Sequence, residues 1–363
     1  MRGTKGRNVL RKDAKIVLAS ALACALACVS FPGPAAAAGA IVIDTSDGHV
    51  LYAEEVDTPW YPASLTKMMT AYVAFQAIRD HRITLDTKIF ISPHAHAQPP
   101  TRLGLKAGKD LPLGDALRAL IMRSANDLAI AIAETIGGDE ASFVKTMNQT
   151  AAQLGMLHTH FINPNGLPAE QQMTTPRDMA LLAQALVHDF PEYAAMFSDT
   201  HATIAKVEIS THNALLGSFQ GADGMKTGYT CASGYNLVAS ATRDGHRLVA
   251  VTLGDESSGA RNARAAALLE HGFKTLEWKA LVPTARVENF PSAVVGAAFE
   301  PDGTMLEHWK GCQDLPPPPE ATASAGKDGK DAKKQQASLT EAKKPVRQVR
   351  SSGSRKRRHA RNE

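Results

Sequence analysis

Cysteine is scarce in this chain, with four residues in 363. Cys24 and Cys28 fall in the N-terminal apolar stretch, so removing that stretch leaves only Cys231 and Cys312. Two cysteines are too few for the disulfide framework of a small secreted domain, and two free thiols are expected. Cys231 reads as a small apolar filler. A long apolar run is also lacking. The run at residues 16–29 has about 14 residues, short of the roughly 20 that a bilayer-spanning helix needs. No internal repeat appears, which excludes solenoid and propeller arrays. His94-Ala95-His96 and His158-Thr159-His160 have ligand-like spacing, as on a strand. No cysteine or acidic pattern accompanies them, so no metal and no cofactor is expected.

What is present is unevenly charged. The net charge is +4, yet residues 313–363 carry 13 Lys and Arg against six Asp and Glu, and residues 1–15 carry six against one. The middle of the chain is therefore acidic, which argues against a nucleic-acid-binding core. The apolar share of 44% fits a soluble globular protein, and the length suits one large or two ordinary domains. At the N-terminus Arg2, Lys5, Arg7, Arg11, Lys12 and Lys15 precede the apolar run, and the small residues 35–38 follow it. That order reads as a cleaved export signal. An uncleaved anchor is the alternative. A lipoprotein site fits less well, because Ala21 and Ala25 stand three before the cysteines where leucine is wanted.

The expected organisation is a signal at 1–38, a catalytic domain at 39–280, a short extension at 281–313 and a disordered basic tail at 314–363. Residues 39–53 read as a hairpin about Asp47-Gly48. Helices are expected from near Pro62 to before His81, over 114–122, over 128–136 up to Gly137-Gly138, and over 140–154 up to Gly155. Thr175-Pro176-Arg177-Asp178 reads as a cap followed by a first-turn proline, with Asp178 a capping acid, opening a helix to Val187. Strands at 236–241 and 248–253 flank an Asp244-Gly245 turn, and a helix over 261–278 follows. Residues 281–299 add a strand or two at most. From Leu315 onward there is almost nothing to bury. Strands at both ends with helices between predict an α+β fold, a central antiparallel sheet built from both ends of the domain with a helical lobe inserted.

Three short elements carry chemistry. Ser64-Leu65-Thr66-Lys67 opens a helix and puts hydroxyl and amine on one face. An amine whose pKa is lowered by burial and neighbouring cations can take the serine proton. Ser124-Ala125-Asn126 lies on the link between two apolar helices, able to relay a proton and to hold an amide. Lys226-Thr227-Gly228 stands just ahead of the strand expected at 235–241. It offers a cation, a hydroxyl and a place for a second backbone to approach. Each has a plain reading taken singly: a surface lysine on a capped helix, a helix cap from Ser124, Asn126 or Asp127, and a turn with a solvated lysine. Found together in this order and context, they match a known triple of β-lactamases and penicillin-binding proteins.

The flanking residues extend the match. Tyr61-Pro62-Ala63-Ser64-Leu65-Thr66-Lys67-Met68, Met122-Arg123-Ser124-Ala125-Asn126-Asp127, Asn163-Pro164-Asn165-Gly166-Leu167 and Asp223-Gly224-Met225-Lys226-Thr227-Gly228-Tyr229-Thr230 resemble the low-molecular-mass serine D-alanyl-D-alanine carboxypeptidases, over about residues 40–278. The resemblance implies a β-lactamase/DD-peptidase-like fold that trims the terminal D-alanine from peptidoglycan stem peptides and is acylated by β-lactams. It implies that Ser64 is the nucleophile, Lys67 its base and Ser124 a proton relay. Asn126 would hold the acyl-side amide, and Lys226, Thr227, Gly228 and Arg261 the region of the terminal carboxylate. The backbone N–H groups of Ser64 and Tyr229 would form the oxyanion hole.

Relatives often carry a second β-rich domain and an anchoring helix, for which residues 281–313 leave little room. The basic tail, with Arg355-Lys356-Arg357-Arg358, is a candidate for weak contact with anionic lipid or wall polymer, or a merely solvated segment. The alternatives are a D,D-endopeptidase cutting cross-links and a non-catalytic wall- or lipid-binding protein working through its tail. A β-lactamase fits less well, since Glu170 lies in no deacylating-loop context. No nucleic-acid partner is implied. The location implied is the periplasm or cell envelope, with a peripheral place at the inner membrane left open.

Overall fold

The computed structural model describes residues 38–276 and 285–291. Residues 1–37, which hold nearly all of the expected signal, lie outside the described residues, as do most of the expected extension and the basic tail. The chain divides after Pro318 into two compact units, and every described residue is in the first.

Strands β1 (Gly39–Asp44) and β2 (His49–Glu54) form the expected hairpin, with Gly48 at φ +72° in its turn. A 3-10 turn at Ala63–Leu65 runs directly into helix α1 (Thr66–Arg79). Strands β3 (Lys88–Phe90) and β4 (Asp110–Pro112) pair around the short helix α2 (Pro93–Ala97). Helices α3 (Leu113–Met122), α4 (Asn126–Gly137), α5 (Glu140–Gln153) and α6 (Pro176–Asp189) complete the lobe. A ribbon of β5 (His201–Ile204) and β6 (Val207–Ser210) precedes β7 (Ala222–Thr230), β8 (Gly234–Arg243) and β9 (His246–Asp255), and α7 (Ser258–Thr275) ends the run.

The main sheet is antiparallel throughout, in the order β2-β1-β9-β8-β7. Its first strand thus pairs with its last, and the helical lobe is the excursion between them, as the α+β pattern predicts. Ile41, Ile43, Val238, Val249 and Val251 belong to the core shared with the lobe. Ala40, Val42, Leu237, Ala239, Leu248 and Ala250 pack against Ala265, Leu268 and Leu269 of α7. Burial on both faces explains why these strands read as continuous apolar runs rather than as alternating ones. Each large aliphatic side chain so buried stabilises the fold by roughly 1.5–3 kcal/mol in transfer free energy.

Four expectations need correction. Lys226-Thr227-Gly228 stands ahead of the strand expected at 235–241, which is β8, but is not itself a turn; it lies inside β7, the edge strand, whose glycines and lysine disguised it. His94 and His96 sit on α2 rather than on a strand, with His94 Nε2 2.9 Å from Glu140 and His96 Nδ1 bonded to the Leu105 carbonyl. Helix α7 opens at Ser258 rather than near Arg261, because Ser257 Oγ accepts the Ala260 N–H and caps it. Cys231, in the β7–β8 turn, is disulfide-bonded rather than a free thiol.

The α6 cap forms as expected, with Thr175 Oγ1 accepting the Asp178 N–H. The Asp178 carboxylate itself turns the other way. It accepts the His158 N–H at 2.9 Å and the Thr159 hydroxyl at 2.7 Å, tying the 157–160 turn to the start of α6.

Candidate active site

The turn that carries Ser64 is held from three sides. Ala63, at φ +48°, and Ser64 form the turn that leads into α1. Asn236 of β8, fully buried, donates to the carbonyls of Tyr61 at 2.9 Å and Pro62 at 3.2 Å, and accepts the Gly254 N–H. Gly166 presses on the turn so closely that a Cβ there would sit 1.9 Å from the Ala63 carbonyl oxygen. Gly228 of β7 approaches from the sheet, where a Cβ would be 3.0 Å from the Pro62 oxygen. Ser64 therefore sits where a positive-φ residue costing about 1–3 kcal/mol is fixed by its surroundings.

Lys67 lies one helical step behind Ser64 and is wholly buried. Its Nζ donates to Ser64 Oγ at 3.0 Å, to Asn126 Oδ1 at 2.8 Å and to the Asn165 carbonyl. All three acceptors are neutral. Burial, and then the charge of Lys226, holds the amine well below the usual lysine range. On the same face of α1, one step further, Thr70 Oγ1 donates to the Pro164 carbonyl at 2.6 Å. Helix α1 thus grips the 163–167 loop through the side chains of positions 67 and 70.

Ser124 stands between α3 and α4 with φ +60°, and its Oγ accepts from Lys226 Nζ at 3.1 Å. Lys226 also donates to the Thr227 carbonyl, and burial followed by the Arg261 charge lowers its pKa to about 7. Asn126 is held at both ends of its amide, by Lys67 and by the Pro99 carbonyl at 2.9 Å. None of Ser124, Asn126 and Asp127 caps α4, whose cap position is Ala125. Asp127 instead accepts the N–H groups of Leu103 at 3.0 Å and Gly104 at 2.8 Å, pinning the loop whose Pro100 and Thr101 form one wall of the cleft.

The cleft encloses about 400 Å³ between lobe and sheet. Ser64, Ser124, Asn126, Thr227, Gly228, Tyr229 and Arg261 all line it. Lys67 and Lys226 reach its hydroxyls from below. Tyr229 is 54% exposed and rests on Tyr235, with ring centroids 4.3 Å apart, and the Arg261 guanidinium lies 5.9 Å from the Tyr235 centroid. All nine residues singled out from the sequence therefore meet at one place. The structure adds Asn165, His212 and Ser258, which carried no assigned role. Asn165 acts through its carbonyl, which no sequence pattern reveals, and His212 stands alone in a polar stretch without a motif.

A family model described as D-alanyl-D-alanine carboxypeptidase matches residues 28–257. The chain belongs to this family. It is 39% identical over 244 residues to the D-alanyl-D-alanine carboxypeptidase DacC of Escherichia coli (strain K12), covering 65% of this chain and 61% of that one. Among solved structures it resembles the carboxypeptidase DacD from Francisella tularensis, with TM-score 0.64, 33% identity, and coverage of 66% of this chain and 70% of the other. It also resembles penicillin-binding protein D2 from Listeria monocytogenes in its ampicillin-bound form, with TM-score 0.58 and 31% identity, covering 65% of this chain and 97% of the other. The chain spans about three fifths of the length of DacC, 61%, and of the D-alanyl-D-alanine carboxypeptidase DacA of Haemophilus influenzae, 62%. Membership agrees with the geometry, since the shared region contains Ser64, Lys67, Ser124 and Lys226.

Proposed function

We propose that this chain is a serine D-alanyl-D-alanine carboxypeptidase that removes the terminal D-alanine of peptidoglycan stem peptides and is acylated by β-lactams at Ser64. The observation that carries it is the buried Lys67 amine, 3.0 Å from Ser64 Oγ and hydrogen-bonded only to neutral acceptors among the described residues. A lysine so placed gives up its proton more readily than an exposed one; as the free amine it keeps two N–H groups for Asn126 and the Asn165 carbonyl and takes the Ser64 proton on its lone pair as Oγ attacks.

The steps follow from the groups at hand. Ser64 Oγ bonds to the carbonyl carbon of the D-alanyl-D-alanine amide while its proton passes to Lys67. The backbone N–H groups of Ser64 and Tyr229 receive the oxyanion. The carbon–nitrogen bond then breaks, and the leaving amine takes a proton through Ser124, whose hydroxyl is bonded to Lys226. Lys226, Thr227 and Arg261 face the carboxylate of the departing D-alanine, and Asn126 the amide of the acyl side. Water attacks the resulting ester, releases the shortened peptide and restores Ser64. The ampicillin-bound relative supports the β-lactam part of the reading.

The same reading has the chain exported, with residues 1–38 removed, so that it meets its substrate in the periplasm or cell envelope. The basic and then apolar order of the N-terminus supports this. No described helix is long and apolar enough to cross a membrane. The excess of 13 Lys and Arg over six Asp and Glu in residues 313–363 supports weak contact between the tail and an anionic surface.

The test is intact mass of the mature protein with benzylpenicillin, beside Ser64→Ala, with alanine release from a stem pentapeptide followed on the same samples. A stable adduct absent from Ser64→Ala, together with alanine release, is expected. An adduct without alanine release would point instead to cross-link cleavage. The absence of both would overturn the reading.

A further inference from the structure

The mechanism leaves idle one imidazole that lines the cleft, His212. Its backbone is fixed from both halves of the fold. The His212 N–H donates to the Met122 carbonyl at 3.3 Å, two residues before Ser124. Its neighbour Asn213, 3% exposed, donates to the Gly224 carbonyl of β7 at 2.9 Å and accepts the Leu215 N–H. The ring thus stands on the cleft wall with Ser124, Thr227 and Arg261, and forms no hydrogen bond to another described residue.

Its electrostatic surroundings are one-sided. The cleft walls crowd the ring, and four cations act on it: Lys226 from β7, Arg123 from the end of α3, Arg261 from α7 and Lys67 from α1. That crowding and those charges hold His212 at about 4, so it is neutral at physiological pH. No carboxylate among the described residues offsets them. A ring with two free nitrogens among uncompensated cations is arranged to respond to an anion. The carboxypeptidase reading supplies one, the terminal carboxylate arriving beside Lys226, Thr227 and Arg261.

We propose that His212 is a proton-coupled recognition residue for that carboxylate, neutral in the free enzyme and protonated from solvent when the substrate binds. The proton balance is simple: free enzyme, peptide carboxylate and one solvent proton give a complex in which an imidazolium N–H donates to the carboxylate. Binding removes part of the positive field, which raises the ring's affinity for a proton, and linkage requires the proton in turn to tighten binding of the carboxylate. The inference rests on the carboxypeptidase reading.

The experiment compares kcat/KM for diacetyl-L-lysyl-D-alanyl-D-alanine with that for the same peptide ending in a carboxamide, from pH 6 to pH 5. Titration of Lys67 is common to both peptides and cancels in the ratio. Lys226, at about 7, stays charged across this window, and a peptide carboxylate stays ionised. In the wild-type protein the acid-to-amide ratio is expected to rise about threefold between pH 6 and pH 5, as for a ring shifted by one to two pKa units on binding. In His212→Gln the ratio is expected to stay flat. In His212→Lys, with a permanent charge, it is expected to be high and flat at both pH values. Parallel profiles for His212→Gln and the wild type would overturn the proposal, as would the same pH dependence on the carboxamide peptide. Failure of the parent reading looks different: the wild type would then release no alanine and form no penicillin adduct, and this proposal would fall with it.

Discussion

Lys67 and Lys226 are both buried and each bonds one serine hydroxyl of the cleft, Lys67 that of Ser64 and Lys226 that of Ser124, and neither is paired with a carboxylate among the described residues. Burying two ammonium groups side by side is costly, and the fold meets that cost by letting both lose protons more readily. For Lys226 the sign is clear. Its pKa in the fold is about 7 against the ordinary 10.5, so the unfolded chain binds the proton more tightly between those values. The penalty is complete below pH 7 and has vanished above 10.5. Lys226→Met is therefore expected to raise Tm at pH 6 and to have much less effect at pH 10, at roughly 2–4 °C per kcal/mol recovered for a domain of this size. The same variant should slow acylation by benzylpenicillin on the order of 100-fold. Thermal unfolding at the two pH values checks the first part, and a lower Tm at pH 6 would contradict it. Lys67 makes a sharper case. Arginine keeps charge and donors but cannot be deprotonated in a protein. Lys67→Arg should fold and yet lose acylation by about 10²–10⁴-fold, measured by adduct formation over time; near-normal rates would remove Lys67 from the role of base.

At the level of elements, the site depends on how closely backbones approach the 62–65 turn. Gly166 has φ +78° and no room for a Cβ, whereas Gly228 has ordinary φ and a tight but yielding contact. The two alanine variants should therefore differ in kind. Gly166→Ala is expected to displace the turn, lowering both Tm and acylation sharply. Gly228→Ala should keep its Tm within a few degrees and slow acylation about tenfold, since a 1 Å misplacement near the chemistry is enough for that. Equal loss of Tm in both would show that the turn is not gripped as described. Asp178 makes a second test of this kind. Burial raises its carboxyl from 3.8 to about 6, so the neutral form favours the fold and that contribution is lost as pH rises through 6. Asp178→Asn should thus be more stabilising, or less harmful, at pH 8 than at pH 4.5, read as the difference in Tm from the wild type. The helices and the hairpins were legible because period and punctuation agree there. Strand β7 was not, because Gly224, Lys226 and Gly228 weaken any strand pattern, and pairing with β8 overrides that local preference. Asp178 was read as a helix cap because its spacing from Thr175 fits one; its hold on the 157–160 turn depends on packing that sequence does not display.

For the whole molecule, the site is an agreement between distant parts of the chain: Lys67 reaches Asn126 59 positions away, and Lys226 reaches Ser124 across 102. The ordered triple of motifs made Ser64, Lys67 and Ser124 legible as the proposed nucleophile, base and relay, since their residue types carry the chemistry wherever the fold places them. Contributions made through a carbonyl, as by Asn165, or through an electrostatic field, as at His212, leave no such mark. The same is true of what holds the molecule together away from the cleft. Arg177, 7% exposed, makes a bidentate pair with Asp57 at 2.6 and 2.9 Å and donates to the Val287 carbonyl at 2.7 Å. It joins the segment after β2, the start of α6 and the stretch 285–291, which also pairs with the β1–β2 turn through Val50 and Val287. Sequence reasoning gave Arg177 no part beyond the first turn of a helix. Removing one partner of a buried pair strands the other, at about 3–5 kcal/mol, whereas removing both leaves no uncompensated charge. Arg177→Met should accordingly cost several kcal/mol in denaturant unfolding, and the double variant with Asp57→Asn should cost less than Arg177→Met alone. Because Arg177 does not line the cleft, penicillin acylation of the folded fraction at 25 °C should remain within about twofold of the wild type in both variants. A double variant as unstable as the sum of the singles would show that Arg177 and Asp57 act independently, and a large loss of acylation would mean that this clamp also shapes the cleft.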